Sequence, residues 1–175
     1  ARFSVKEEEI FSACGGAALY RREAYLTLCG MDEAHFAYLE DVDLGYRARL
    51  RGYKNLYCPG ALVYHAGSAY SGSRYNAFKA ELSAKNSVYV WAKNMPLWQM
   101  LLNAPFLLAG YGIKLLFFSL KGLGRPYGRG FARGMRAAFG KEKRREAVTF
   151  LSERRSLRGL PKAKGVRCAR IQLEL

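Results

Sequence analysis

Five carboxylates lie within residues 32–43, in a chain that is otherwise basic, with 29 lysines and arginines against 14 acids and a formal net charge of +15. Glu40 and Asp41 come at the predicted start of a helix, where unpaired backbone N–H groups and the helix dipole orient an ionised carboxylate. Such a carboxylate in a cleft can take a proton from a hydroxyl nucleophile as a general base. The alternative is a plain helix cap, whose acids form surface ion pairs with Arg47 or Arg51.

His65 is the second residue whose position suggests chemistry. It ends a predicted strand and precedes a Gly-Ser loop. An imidazole at a strand end that faces a cleft can bind a metal or relay a proton. A lone histidine can equally be a satisfied core or edge residue. The four cysteines have neither a C-x-x-C pair nor zinc-ligand spacing, so they predict no metal site of their own.

The elements that must position these residues follow from hydrophobic periodicity and from the places of glycine and proline. They are a turn and strand over 13–20, a short helix over 21–28, a helix over 40–51, two strands within 53–65 around a turn at 59–60, and a helix over 77–93. The residues of the last helix that we expect to face inward are Phe78, Leu82, Val88 and Trp91. The acidic stretch is thus predicted to start a helix.

An apolar segment, residues 96–120, carries a single charge. It is long enough to span a bilayer, for which roughly 20 helical residues suffice. Pro105, Gly110 and Gly112 interrupt it, so two shorter helices in the membrane interface fit equally well. A buried helix pair of a soluble core is the alternative. The cationic residues 121–145 that follow favour an anionic membrane surface.

The positive charge is concentrated from residue 121 onward, where 16 lysines and arginines stand against four glutamates. Part of this region could contact phosphates and stack on bases. The residues concerned are Arg125, Arg129, Arg133 and Arg136, interleaved with Tyr127, Phe131 and Phe139. Since no nucleic-acid-binding signature accompanies them, a membrane surface is the favoured partner over a nucleic acid.

Taken together, the ordered motifs over residues 12–72 resemble the second half of family 2 glycosyltransferases, especially the bacterial rhamnosyltransferase-like members. The family pattern runs D-E-x-F-F-x-Y-x-E-D-x-D-L-x-x-R around the acidic stretch. The residues that carry the resemblance are Gly16-Ala17, Arg21-Arg22, Gly30-Met31-Asp32-Glu33, Phe36, Tyr38, Glu40-Asp41-Val42-Asp43-Leu44, Arg47, Gly52, Pro59, Val63 and His65. Lys85-Asn86 resembles a K-N pair common in these enzymes, and an apolar and then basic C-terminal region is also familiar in the family.

The resemblance implies an α/β fold, a partial GT-A sandwich that binds a nucleotide-sugar and Mg²⁺ or Mn²⁺, followed by membrane-associating helices. The implied organisation is an acceptor-side catalytic part over 1–94, an apolar and then basic helical region over 95–145, and a loosely ordered basic tail over 146–175. The implied activity is inverting sugar transfer. The residue roles that it implies are Asp41 as general base, Glu40 as its support, Asp32, Glu33 and Arg47 in acceptor binding, and His65 as a metal ligand.

The chain departs from the family pattern at its start. Family members carry a nucleotide-binding half with a D-x-D-type motif before the Gly-Ala segment, whereas eleven residues precede Ser12 here. We therefore expect a fragment whose donor site is incomplete, and a non-catalytic membrane-surface or partner-binding remnant is the alternative function. A milder departure is Met31, which replaces the Gly-Phe type residue that usually precedes Asp-Glu in the family. The expected partners are a dTDP- or UDP-linked sugar and a glycan or lipid-linked acceptor, at the cytoplasmic face of the inner (plasma) membrane, peripheral or integral.

Overall fold

The structure, a computed structural model, describes residues 6–64, 73 and 75–139. The strands and α-helices of these residues are β1 (Glu8–Ile10), α1 (Arg22–Thr27), α2 (Glu40–Leu50), β2 (Asn55–Tyr57), α3 (Ala77–Asn94), α4 (Leu97–Leu120) and α5 (Gly124–Phe139). Two single-turn 3-10 helices, Gly15–Ala17 and Glu33–His35, precede α1 and α2. The predicted tail over 146–175 and His65 lie outside the described residues.

β1 and β2 form an antiparallel pair, with Glu8 opposite Tyr57 and Ile10 opposite Asn55. The prediction of a strand after residue 53 is confirmed at β2. The second predicted strand is wrong for residues 61–64, which pair with no strand in the part of the chain that the structure describes. β2 pairs instead with β1, a segment whose consecutive glutamates gave no strand signal. Ion pairs offset its charge, since Glu9 contacts Arg49 at 3.2 Å and Lys54 at 3.1 Å.

The two helices around the acidic stretch are confirmed, because α1 and α2 each lie within one residue of their predicted bounds. The strand predicted within 13–20 is wrong. The backbone is extended at Ala18, with φ −124° and ψ 137°, but residues 18–20 are not assigned to a strand. Extended backbone becomes a stable strand only when neighbouring strands supply hydrogen bonds and a packed face.

A small hydrophobic core joins α1 to α2. Its buried members are Leu28, Leu44 and Ala48, with Tyr20, Tyr25, Met31 and Tyr53 packed against them. Gly45 lets α2 approach the segment before it, because a Cβ at this position would lie 2.3 Å from the Cβ of Ser12. Asn55 ties the two together by donating from Nδ2 to the carbonyls of Phe11 and Gly45, at 2.7 and 3.1 Å. The start of α2 is thereby fixed against the glycine-rich turn.

α5 packs on α3 through two glycines one helical turn apart. A Cβ at Gly130 would lie 2.0 Å from the carbonyl oxygen of Glu81, and one at Gly134 would lie 2.6 Å from that of Lys85. Only glycine permits so close an approach of two helix backbones. Arg133 then pairs with the Glu81 carboxylate at 2.7 Å.

The inward face of α3 is only partly as predicted. Val88 is fully buried, whereas Phe78 is 52% exposed. The other buried positions of its N-terminal half are the small residues Ala80 and Ala84. Because α5 packs closely against this part of α3, small side chains are buried here instead of the large apolar ones predicted from helical spacing.

The apolar segment forms one continuous helix, α4, with Pro105 inside it, rather than two shorter helices. Among the described residues it is the one helix that is long and apolar enough to cross a membrane, with a mean hydropathy of 1.6. None of that apolar window is buried among the residues that the structure describes. The boundary predicted after residue 94 falls between α3 and α4.

The arginines and aromatic residues of α5 do not form one mixed surface. The four arginines are exposed, whereas Tyr127 is buried and stacks on Phe118 with ring centroids 4.9 Å apart. Phe131 contacts Tyr111 at 5.0 Å. Two of the three aromatic residues proposed for base stacking therefore pack against α4 and are not free to stack on bases.

Candidate functional site

The acidic stretch folds into a strained loop that leads into α2. Asp32 caps the 3-10 turn Glu33–His35, because its Oδ1 accepts from the Ala34 N–H at 2.9 Å. Three residues between this turn and Glu40 have left-handed backbone angles, with φ of 63° at Phe36 and 68° at Tyr38 and Leu39. Such conformations of residues other than glycine cost about 1–3 kcal/mol each and persist only when surrounding contacts compensate.

Asn86 on α3 supplies that compensation. It is fully buried, and its Nδ2 donates to the carbonyls of His35, Ala37 and Tyr38 at 2.9, 2.8 and 2.8 Å. Its neighbour Lys85 donates from Nζ to the Ala34 carbonyl at 2.6 Å. The K-N pair noted in the sequence therefore holds the loop in front of α2, a role that the sequence alone did not indicate.

Asp41 lies in the first turn of α2, half-buried, and both of its carboxylate oxygens are oriented by backbone donors. Oδ2 accepts from the Gly15 N–H at 2.8 Å, and Oδ1 accepts from the Val42 N–H at 2.7 Å. A carboxylate has about four lone-pair positions, so these two bonds leave acceptor capacity for a further hydroxyl. The arrangement can position a carboxylate that receives a proton.

Tyr20 and Glu40 border Asp41. Burial, and then the nearby Asp41 carboxylate, raise the pKa of Tyr20, with a smaller contribution from Glu40. The Tyr20 hydroxyl and one carboxylate oxygen of Glu40 are buried without a hydrogen-bond partner in the described part of the chain. Buried polar atoms are normally paired, so these two atoms leave hydrogen-bonding capacity unused in the interior near Asp41.

Asp32 and Asp43 face the interior, and Lys93 of α3 bridges them. The Lys93 ammonium lies 2.8 Å from Asp32 Oδ2 and 3.2 Å from Asp43 Oδ2. Tyr89 donates to Asp32 at 2.7 Å and Asn94 to Asp43 at 2.7 Å. Sequence reasoning missed this part of α3, since the interacting residues are about fifty to sixty positions apart and no local pattern links them.

The pKa values of both aspartates are lowered. Burial alone would raise the pKa of Asp43, but the nearby His35, the cations of Lys93 and Arg47, and the hydrogen bond from Asn94 outweigh it. Burial likewise opposes the shift of Asp32, whose pKa is lowered chiefly by the hydrogen bond from Lys93. These two carboxylates stay ionised and paired, so they serve as anchors of the fold.

His35 completes a cluster with Asp32 and Asp43 whose potential ligand atoms lie within 4.8 Å of one another. The cluster does not fit a divalent metal, because Lys93 and Arg47 already balance the two negative charges and a further buried charge would be uncompensated. His35 is fully buried, its Nε2 is 3.9 Å from Asp43 Oδ1, and both of its nitrogens lack a hydrogen-bond partner among residues that the structure describes. The metal ligand predicted from the sequence, His65, lies outside the described residues.

Arg47 was predicted to bind the acceptor, but its side chain is buried and faces the interior. It is 3% exposed, and its guanidinium donates to Asp43 Oδ2 at 2.8 Å, to the Gly30 carbonyl at 2.7 Å and to the Leu28 carbonyl. It therefore joins α2 to the end of α1. The acceptor role of Arg47 came from the family resemblance, which does not indicate whether this arginine faces solvent or the core.

The two acids predicted for acceptor binding differ in their surroundings. Glu33 is exposed beside the loop, where an acceptor can reach it. The carboxylate of Asp32 is engaged by Lys93 and Tyr89 instead. Acceptor contact thus stays a prediction for Glu33, and the geometry gives Asp32 a structural role.

Part of this chain is related to a glycosyltransferase. Over 64 residues, 37% of the chain, it is 39% identical to N-acetylglucosaminyl-diphospho-decaprenol L-rhamnosyltransferase from Mycobacterium tuberculosis, in the strains CDC 1551 / Oshkosh and ATCC 25618 / H37Rv. The match covers 21% of each relative, so the chain spans about a fifth of the length of the curated relatives it matches. No protein-family model matches the chain, and no solved structure matches it. The partial GT-A sandwich therefore stays a prediction.

Proposed function

We propose that this chain forms the acceptor side of an inverting, metal-dependent glycosyltransferase, with Asp41 as the general base. The observation that carries the proposal is the Asp41 carboxylate, half-buried and oriented by two backbone N–H groups, in a chain that is partly similar to a rhamnosyltransferase. The proposed donor is a dTDP- or UDP-linked sugar. The proposed acceptor is an envelope polysaccharide or a lipid-linked glycan at the cytoplasmic face of the inner (plasma) membrane.

In this reaction, the acceptor hydroxyl gives its proton to Asp41 as its oxygen attacks the anomeric carbon of the donor. The new bond joins that oxygen to the anomeric carbon, while the bond from this carbon to the diphosphate oxygen breaks and the diphosphate leaves with the electron pair. Attack from the opposite side inverts the configuration. Glu40, which precedes Asp41 in the first turn of α2, would support the base.

Mg²⁺ or Mn²⁺ belongs to the proposal through the family resemblance, with His65 as one ligand. Its chemistry would be to neutralise the diphosphate leaving group. The described cluster around Asp43 does not fit this ion, because Lys93 occupies the space between its carboxylates. No step assigned to Asp41 depends on that cluster.

The test is made in a full-length parent that supplies the donor half, and it measures transfer of labelled rhamnose from its dTDP- or UDP-linked form to N-acetylglucosaminyl-diphospho-decaprenol, the acceptor named for the relative. We expect Asp41→Asn to lower transfer by about 10²–10⁴-fold, the usual contribution of a general base. Glu23→Gln removes an exposed carboxylate of α1 and is the matched control, with activity unchanged. Circular dichroism verifies that both variants fold.

Two outcomes would contradict the proposal. Turnover retained in Asp41→Asn would remove the base assignment. If the unsubstituted full-length parent binds vesicles but neither binds the nucleotide-sugar nor transfers the sugar, the non-catalytic membrane-binding remnant is the better description of this chain.

A further inference from the structure

α4 presents a continuous apolar side to solvent. Its most exposed large residues recur at helical spacing and are between 61% and 81% exposed. They include Trp98, Leu102, Phe106, Ile113, Leu116 and Leu120. An exposed apolar patch along a whole helix marks a contact surface, because water-soluble proteins rarely leave one uncovered.

The opposite side of α4 is held against α3 and α5. The Tyr111 hydroxyl accepts a hydrogen bond from Trp91 Nε1 at 2.6 Å and donates one to Ser87 Oγ at 3.2 Å. Near the end of α4, Phe118 stacks on Tyr127 of α5 with ring centroids 4.9 Å apart. These contacts attach α4 through its second half, from Tyr111 to Phe118.

The chain direction supports the same arrangement. Tyr75, which precedes α3, contacts Phe117 near the end of α4 with ring centroids 5.6 Å apart. Trp91, near the end of α3, contacts Tyr111 near the middle of α4. The second half of α4 therefore lies against α3 and the residue that precedes it, while α3 and α5 pack closely on each other.

This packing decides between crossing a bilayer and lying on it. The 24 residues of α4 rise about 36 Å, enough for a hydrocarbon core of about 30 Å. A crossing α4 would, however, carry into the hydrocarbon the parts of α3 and α5 that contact its second half. Arg129 and Arg133 of α5, which pair with Glu81 of α3, belong to that packed unit. An arginine at the bilayer centre costs about 2.5–3.5 kcal/mol.

We propose that α4 lies in the plane of an anionic membrane surface, with its apolar side in the outer acyl region and α3 and α5 on the water side. The occupant is a lipid surface because the patch is apolar along its full length and is followed at once by the exposed cations Lys121 and Arg125. Basic residues beside an anionic leaflet contribute about 1 kcal/mol each. This inference deepens the membrane partner of the proposed function and is independent of sugar transfer.

The two tryptophans of the chain allow a direct test. Trp98 is on the outer side of α4, whereas Trp91 is on α3 and bonded to Tyr111. The vesicles contain phosphatidylglycerol and lipids brominated at either shallow or deep positions of the acyl chain. We expect shallow bromines to quench the fluorescence of Trp98, which is identified as the part of the emission that Trp98→Phe removes. The emission that remains in Trp98→Phe, which comes from Trp91, should be quenched weakly.

Depth along the helix separates the two orientations. In a Trp98→Phe background, Phe106→Trp and Leu116→Trp report on the middle and the last part of α4. An in-plane helix gives similar shallow depths at positions 98, 106 and 116, and binding that weakens at high salt or without anionic lipid. Position 106 deeper than both others would mean a crossing helix and overturn the proposal.

Absence of quenching at all three positions would also overturn it, and a concentration-dependent dimer in sedimentation would then identify a second copy as the occupant. Circular dichroism shows whether each tryptophan variant retains its helices. Since vesicle binding and sugar transfer are measured separately, failure of this inference is distinguishable from failure of the Asp41 proposal.

Discussion

Asn86 connects the candidate base to the rest of the molecule through one side-chain amide. The loop before Glu40 contains three left-handed residues, and three of its carbonyls accept from Asn86 Nδ2. Without these bonds, the strain of the loop is uncompensated and its carbonyls lose their buried donor. The position of the Asp41 side chain at the start of α2 thus depends on the contact between this loop and α3.

We expect Asn86→Ala to lower the free energy of unfolding by about 2–3 kcal/mol, because each buried carbonyl left without a donor costs about 1–3 kcal/mol and water can replace part of that loss. Asn103→Ala is the matched control. Its Nδ2 donates to the Gln99 carbonyl of its own helix at 2.9 Å, so its loss should cost less than about 0.5 kcal/mol. Urea unfolding followed by circular dichroism measures both, and equal effects would argue against a special role for Asn86.

The residue scale also shows what the sequence can predict of the site. Glu40 and Asp41 were correctly placed at the start of a helix, because apolar spacing and acidic residues are local signals. The left-handed loop was not predicted, because Phe36, Tyr38 and Leu39 adopt positive φ only when Asn86, about fifty residues later, binds the loop. The burial of Arg47 was missed because the carbonyls that it binds, those of Leu28 and Gly30, belong to another part of the chain.

Among the elements, α5 stabilises α3 by packing closely against its backbone. Gly130 and Gly134 let α5 contact the α3 backbone at Glu81 and Lys85. Lys85 is also the residue whose Nζ holds the Ala34 carbonyl. Loss of the α5 contact would therefore loosen the helix that positions the acidic loop.

Gly130→Ala tests this packing. Its Cβ would lie 2.0 Å from the Glu81 carbonyl oxygen, so the helices must separate, and we expect a loss of at least about 2 kcal/mol in the free energy of unfolding. Gly128→Ala, on the same helix with no atom within 4 Å of its Cβ, should be neutral or stabilising by up to about 1 kcal/mol. Thermal unfolding compares the two variants, and similar melting temperatures would exclude the close contact.

The elements were predicted best where one local pattern was sufficient. α2 and α3 follow from helical spacing. β1 and the unpaired residues 61–64 could not be foreseen, since strand formation depends on which distant segment is available to pair. The sequence left open whether the apolar segment forms one helix or is divided at Pro105, Gly110 and Gly112, and the structure has one helix that continues through all three.

At the scale of the whole described structure, the buried acids are neutralised by buried cations, while the arginines of α5 are exposed. Asp32 and Asp43 are paired with Lys93 and Arg47, whereas the arginines of α5 are exposed. The buried charges therefore link stability to pH, and the exposed ones govern contact with anionic surfaces.

Stability should fall in acid because the pKa values of Asp32 and Asp43 are lower in the folded chain than the ordinary value of about 3.9. The ion pairs stabilise fully above that value, and their contribution is lost as the pH falls from about 5 through the lowered pKa values. Urea unfolding between about pH 7 and pH 2 should show this decline. Asp32→Asn should flatten it and cost about 1–3 kcal/mol at neutral pH, since Lys93 and Tyr89 lose a charged partner. Glu33→Gln, an adjacent exposed acid, should leave the profile unchanged, and identical profiles in the two variants would contradict the Asp32–Lys93 pairing.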